Sequence, residues 1–249
     1  PVETVTGHGL QLSPFELHAD SPGLGMAVTR ECLTCHTLDA RAPGKNALPA
    51  NALGAATFDA LSPLTCSACH GDTAPHAANM RGERGEGAGL GITRLARLSA
   101  GAQRDACARC HLQGDARIDL VDGHVDRDRP IAAQIPVLVP RRAIDDFRFV
   151  SQVERLALSA CFKASPRMTC TTCHDPHSPV AAQGTASFDR ACVSCHTDGD
   201  PHIQRERTGC VGCHVRRSQP FDLPHVRTAD HFIRRRIPPA EDDVPHRQF

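Results

Sequence analysis

Residues 170–177 read CTTCHDPH: Cys170, two threonines, Cys173, His174 and, three residues further on, His177. The same CxxCH string occurs at Cys32/Cys35/His36, Cys66/Cys69/His70, Cys107/Cys110/His111, Cys192/Cys195/His196 and Cys210/Cys213/His214. Two thiols three residues apart with an imidazole at the next position supply what one porphyrin takes up: sulfur for each vinyl group and a ring nitrogen for the iron. Zinc sites and disulfides also use paired Cys-x-x-Cys units, but neither requires the adjoining His. With 15 His among 249 residues, six such placements arise by accident about once in ten million trials or more. The motifs therefore predict six haem c groups, each with an iron, held by these twelve cysteines and ligated by the six motif histidines.

Composition agrees with a large non-protein filler. Only 4% of residues are aromatic, Trp and Tyr are absent, and there are 13 Cys, 15 His, 19 Gly and 19 Pro, so a core built from protein alone is poor. Six haems in 249 residues leave about 41 residues for each, too few for separate folds. The expectation is a chain that is mainly loop, with short α-helices and little β, wrapped around a stack of six haems that share walls. Charge is balanced at 28 basic and 28 acidic residues, and only Lys45 and Lys163 are lysines. Arginine forks suit haem propionates, although a preference for Arg codons explains the bias equally well. Nucleic-acid binding needs a basic surplus and stacking aromatics, and neither is present. No run of about 18 apolar residues exists to span a bilayer. The chain opens at Pro1 and reads as processed, and because thioethers form after export the motifs predict a periplasmic or extracellular protein.

Between each motif His and the next motif lie 29, 36, 58, 17 and 13 residues, so the middle gap is the natural divide. It suggests an N-terminal three-haem part at 1–118, an extended connector at 119–144 and a C-terminal three-haem part at 145–249, or one fused body. A strand is expected over 135–139, and an amphipathic helix over about 145–162 with Val153, Leu156, Ala157 and Ala160 on one face. A second helix is expected over 93–111 with Leu95, Leu98 and Ala102 together, and an exposed loop over 81–91.

Outside the motifs stand His8, His18, His76, His124, His177, His202, His225, His231 and His246, nine candidates for the second axial position of six irons. His177, His76, His225 and His231 are the strongest by their nearness to motifs, followed by His18 and His124. Bis-His ligation of most haems sets low potentials. Met26, Met80 and Met168 are the thioether rivals, though Met more often fills a core. Cys161 lies outside any CxxCH and reads as a buried inert thiol, an extra thioether or iron ligand, or an intermolecular partner.

The strings TCSACHGDTAPH, RDACARCHLQGDARI, VERLALSACFKASPRMTCTTCHDPHSP and CVGCHVRRSQPFDLPHVRTADHFIRRRIPP resemble the multihaem c-type cytochrome module that bacterial proteins often join to tetratricopeptide repeats. The resemblance implies the multihaem superfamily that includes nitrite- and hydroxylamine-converting enzymes and their electron carriers, and implies that Cys161 belongs to the pattern. Members tend to carry His where this chain has Gln152. The expected role is electron transfer, with redox partner proteins or extracellular acceptors, as a homo-oligomer or homopolymer such as an extracellular filament, and with no catalytic residue. The alternative is an oxidoreductase acting on nitrite or hydroxylamine at a five-coordinate haem; a docking subunit of a larger membrane complex is a third reading.

Overall fold

The computed structural model describes residues 65–83, 91–118, 129–138, 146–196, 208–222 and 226–236, together with Cys35 and the backbone at 5–6 and 9–10. These are short helices and loop with little strand, falling in two units that carry three CxxCH motifs each.

The first unit comprises residues 1–154 and 219–227. Strands β1 (Val5–Thr6) and β2 (Gly9–Leu10) pair antiparallel. Helices α1 (Ser67–His70) and α2 (Ala74–Met80) follow, then a 3-10 turn at Leu95–Arg97 and α3 (Ala100–His111). The single helix expected over 93–111 is thus divided. Ser99 is extended, and its hydroxyl accepts from the Ala102 N–H at 3.2 Å, so the serine starts a new helix as an N-cap instead of continuing an old one. Ala108 of α3 packs with Ile131 and Ile135, edged by Leu112 and Val153.

Strands β3 (Ala116–Arg117) and β4 (Val137–Leu138) pair antiparallel, with Ala116 opposite Leu138. Of the strand expected over 135–139, Ile135 instead closes a turn onto the Ile131 carbonyl at 2.7 Å, and Pro136 has no N–H to donate. Gly114 precedes this pair at φ +57°, where an added Cβ meets the Leu138 carbonyl oxygen at 2.8 Å and the Val137 Cβ at 2.9 Å, so the close approach requires glycine. The chain returns at 219–222, where Asp222 accepts from the Phe149 N–H at 2.8 Å and Arg148 lies over the Phe221 ring at 5.2 Å. Helix α4 spans Gln152–Leu156, and the first unit ends within it at Glu154.

The second unit comprises residues 155–218 and 228–249. It contains α5 (Ala160–Ala164), a 3-10 turn at Cys170–Thr172, α6 (Val180–Gln183), α7 (Thr185–Val193), α8 (Cys210–His214) and the antiparallel pair β5 (Arg217–Ser218) and β6 (Thr228–Ala229). The helix expected over 145–162 is therefore two short ones. The Leu158 and Ser159 N–H groups bond back three residues, to Arg155 and Leu156, which tightens the chain and ends α4. Among the described residues of this unit no apolar side chain is fully buried; what is buried is Arg155, Ser159, Thr169, Asp189 and Asp230.

Candidate haem-attachment sites

Five of the six motifs lie within the described residues, and all five fold the same way. The N–H of the motif His bonds to the carbonyl of the first Cys at 2.8 Å for His70, 3.0 Å for His174 and 3.0 Å for His196. His111 ends α3, and His214 ends α8 four residues after Cys210. One helical turn thus carries both thiols and the imidazole, with the cysteines at i and i+3 on one side. Cys32 and His36 lie outside the described residues; Cys35 Sγ is 3.8 Å from the Cys110 carbonyl oxygen, on the third motif.

The motif thiols are not equally enclosed. Cys107, Cys110, Cys170, Cys173, Cys192 and Cys210 are half-buried. Cys69, Cys195 and Cys213, each the second cysteine of its motif, are exposed, as is Cys66. The cause is where their turns sit. Helices α1 and α8, which carry Cys69 and Cys213, are four and five residues long and bury no residue. Cys195 lies just past the end of α7, where its nearest recorded partner is the equally exposed Ser194, whose Oγ is 3.8 Å from its Sγ. Polypeptide therefore does not wall in these three thiols.

The imidazoles are oriented through Nδ1. His70 Nδ1 lies 2.7 Å from the Thr93 carbonyl and His214 Nδ1 lies 2.7 Å from the Arg234 carbonyl. His111 Nδ1 lies 3.2 Å from the side-chain oxygen of Gln152, whose amide nitrogen donates to the Phe149 carbonyl at 3.0 Å. A carbonyl only accepts, so in each case the proton is on Nδ1 and the lone pair is on Nε2, the tautomer an axial metal ligand requires. Gln152 therefore serves His111 as its orienting acceptor.

Burial and the neighbouring thiols push the Cys173 thiol above its ordinary range, and burial beside Cys210, Cys173, Asp189 and Cys161 pushes Cys192 up to about 11. Among the described residues no three His, Cys, Asp or Glu side chains converge as a metal cage, and no disulfide joins the described cysteines. Cys161 is half-buried, within electrostatic reach of Cys173 and Cys192, which sets it beside the motif thiols of the second unit.

The fourth motif faces an open cleft of about 600 Å³ lined by Cys173, His174, Pro176 and Gln183, in the size range of small-molecule and cofactor sites. The Phe188 ring meets His174 edge-on with centroids 5.2 Å apart, and the His231 ring lies 6.0 Å from His174 with the planes 25° apart. His177 is exposed, its backbone N–H held by Asp175 at 2.9 Å. His76 is half-buried in α2, and His111 and His196 are exposed. His18, His124 and His225 lie outside the described residues.

The last two motifs are joined by a residue that spacing does not reveal. Asp189 on α7, 5% exposed, accepts from the Gly209 N–H at 2.6 Å and the Val211 N–H at 3.1 Å. Gly209 is left-handed at φ +79°, which turns both N–H groups toward the carboxylate at the start of α8.

Residues 164–201 match the family described as doubled CXXCH motif. This stretch, with two of the six motifs, is a multihaem c-type cytochrome-like module, and its motifs indicate covalently bound haem c with iron and, with it, electron transfer. No curated protein and no solved structure matches the chain. No helix among the described residues is long and apolar enough to cross a membrane.

Proposed function

We propose that this chain carries six haem c groups, one on each CxxCH motif and most of them with two axial histidines, and that it conducts electrons along them. One observation carries the reading: five separate motifs share one turn geometry, and three of their histidines have Nδ1 fixed by a carbonyl acceptor. A haem iron supplies a one-electron couple. The residues supply everything else: cysteines fix the macrocycle edge, carbonyls hold the imidazoles of His70, His111 and His214 in one tautomer, and short gaps of 17 and 13 residues between the last motifs crowd three sites into one small unit.

The protein works outside the cytoplasm, where thioether formation is completed, and passes charge to redox partners or extracellular acceptors. Assembly into a homo-oligomer or filament lengthens the path without new chemistry. Low-temperature magnetic spectroscopy of the ferric protein separates conduit from enzyme. A conduit gives low-spin iron throughout and no consumption of nitrite or hydroxylamine; a high-spin haem that binds cyanide and turns over either substrate overturns the reading. Electron micrographs of native material report whether it polymerises.

A further inference from the structure

We propose that His231 is the second axial ligand of the haem carried by Cys170, Cys173 and His174, and that Arg155, Ser159 and Asp230 form a buried frame whose task is to hold it there. The inference rests on haem attachment at the fourth motif and adds to it a specific pairing.

The separation of the two rings is the first argument. The two rings stand 6.0 Å apart between centroids with their planes 25° apart. Two axial imidazoles on one metal are spaced similarly. A metal–nitrogen bond of about 2.0 Å plus roughly 1.1 Å from nitrogen to ring centre, taken twice, gives about 6 Å. The near-parallel rings stand at that distance, and the His231 Nδ1 lies 3.0 Å from the Ala229 carbonyl, which leaves the lone pair on Nε2 as in His70 and His214.

The second argument is how much polar structure surrounds one short segment. Arg155 and Asp230, 6% and 2% exposed, form a two-pronged ion pair at 2.8 and 2.6 Å. Ser159, fully buried, donates to the His231 carbonyl at 3.1 Å and accepts from the Ile233 N–H at 2.8 Å. Asp230 also accepts from the Phe232 N–H at 2.9 Å, and Arg155 and Arg234 lie over the Phe232 ring. Every residue from Asp230 to Ile233 is thus fixed by a group that is buried or half-buried. A buried ion pair contributes little net stability against an apolar replacement, so its better-supported use is positional, and with the Asp230 carboxylate engaged by Arg155 and Arg234 the side chain in this segment suited to a haem iron is His231. Ser159 is also the residue at which the expected long helix breaks, so the helix forgoes a turn for this frame.

The experiment uses the intact haem-bearing protein. In His231→Ala, peptide mapping finds the fourth motif still haem-bearing, while one haem per chain turns from low-spin to high-spin and added imidazole restores it. In His231→Met the protein stays low-spin but one haem's potential rises, since thioether ligation raises potential. Ser159→Ala and Asp230→Asn keep the ligand but loosen it, giving a partial high-spin signal that imidazole removes; a merely structural role for the frame would leave spin state unchanged. If His231→Ala remains wholly low-spin with all haems attached, or His231→Met leaves every potential unmoved, the pairing is wrong. Absence of haem at Cys170 and Cys173 in the parent protein instead defeats the underlying reading, a separate result.

Discussion

Replacing Asp189 with alanine tests whether the fifth and sixth motifs are docked by one carboxylate. The side chain is 5% exposed and receives two backbone N–H groups, at 2.6 and 3.1 Å. Hydrogen bonds to a charged group net about 1.5–3 kcal/mol each, so two give roughly 3–6 kcal/mol. Relief of the carboxylate's own desolvation on removal offsets about half of that, which leaves a predicted loss of about 2–3 kcal/mol. Asp189→Asn keeps one acceptor oxygen and the side-chain shape, and is expected to lose only about 1 kcal/mol. Urea unfolding of the haem-bearing protein, followed by far-ultraviolet circular dichroism, measures the difference. With a slope of about 1–3 kcal/mol per molar urea, the alanine midpoint falls by about 1–2 M and the asparagine midpoint by less. Haem content is checked by mass so that the comparison stays between fully loaded proteins. A change of under about 0.5 kcal/mol in Asp189→Ala would show that the Gly209 and Val211 N–H groups do not depend on this carboxylate, and the reasoning would fail.

Gln152→Leu removes the acceptor at His111 Nδ1, makes that imidazole less basic and raises one haem potential; a net bond of about 0.5–1.5 kcal/mol corresponds to about 20–65 mV for one electron, read by spectroelectrochemical titration. Gln152→Glu places a stronger acceptor there and is expected to lower the same potential. Gly114→Ala drives a Cβ into the Leu138 carbonyl from a positive φ and is expected to cost about 2 kcal/mol or more in denaturant stability. Ser99→Ala removes the cap of α3 and is expected to cost about 1 kcal/mol by the same measurement, with Ser99→Asp restoring most of it.

The attachment chemistry is legible in the sequence because it is local: Cys, Cys and His within five residues make one turn, and no distant contact is needed to shape it. How far each thiol is enclosed is not local, and so the exposure of Cys69, Cys195 and Cys213 beside half-buried first cysteines at Cys192 and Cys210 has no counterpart in the spacing. The short helices follow in part from the motif turns, while the two longer helical patterns are broken at Ser99 and Ser159. What else spacing does not reveal is long-range and polar. Arg155 and Asp230 are 75 residues apart and Asp189 reaches a backbone 20 residues on, and neither is marked by periodicity. The apolar face of Val153, Leu156, Ala157 and Ala160 argues for one helix, yet Ser159 in its midst is taken by the His231 segment, and that tertiary demand overrides local preference. Gln152 has a role only once His111 is seen beside it.

The central claim is six covalent haems on one chain, and intact mass of the purified protein under denaturing conditions tests it most directly. The account predicts the 26.8 kDa polypeptide mass increased by six haems, with peptide mapping placing one on each cysteine pair from Cys32/Cys35 to Cys210/Cys213. A bare polypeptide, one that gains only zinc, or one whose cysteines are joined as disulfides contradicts it.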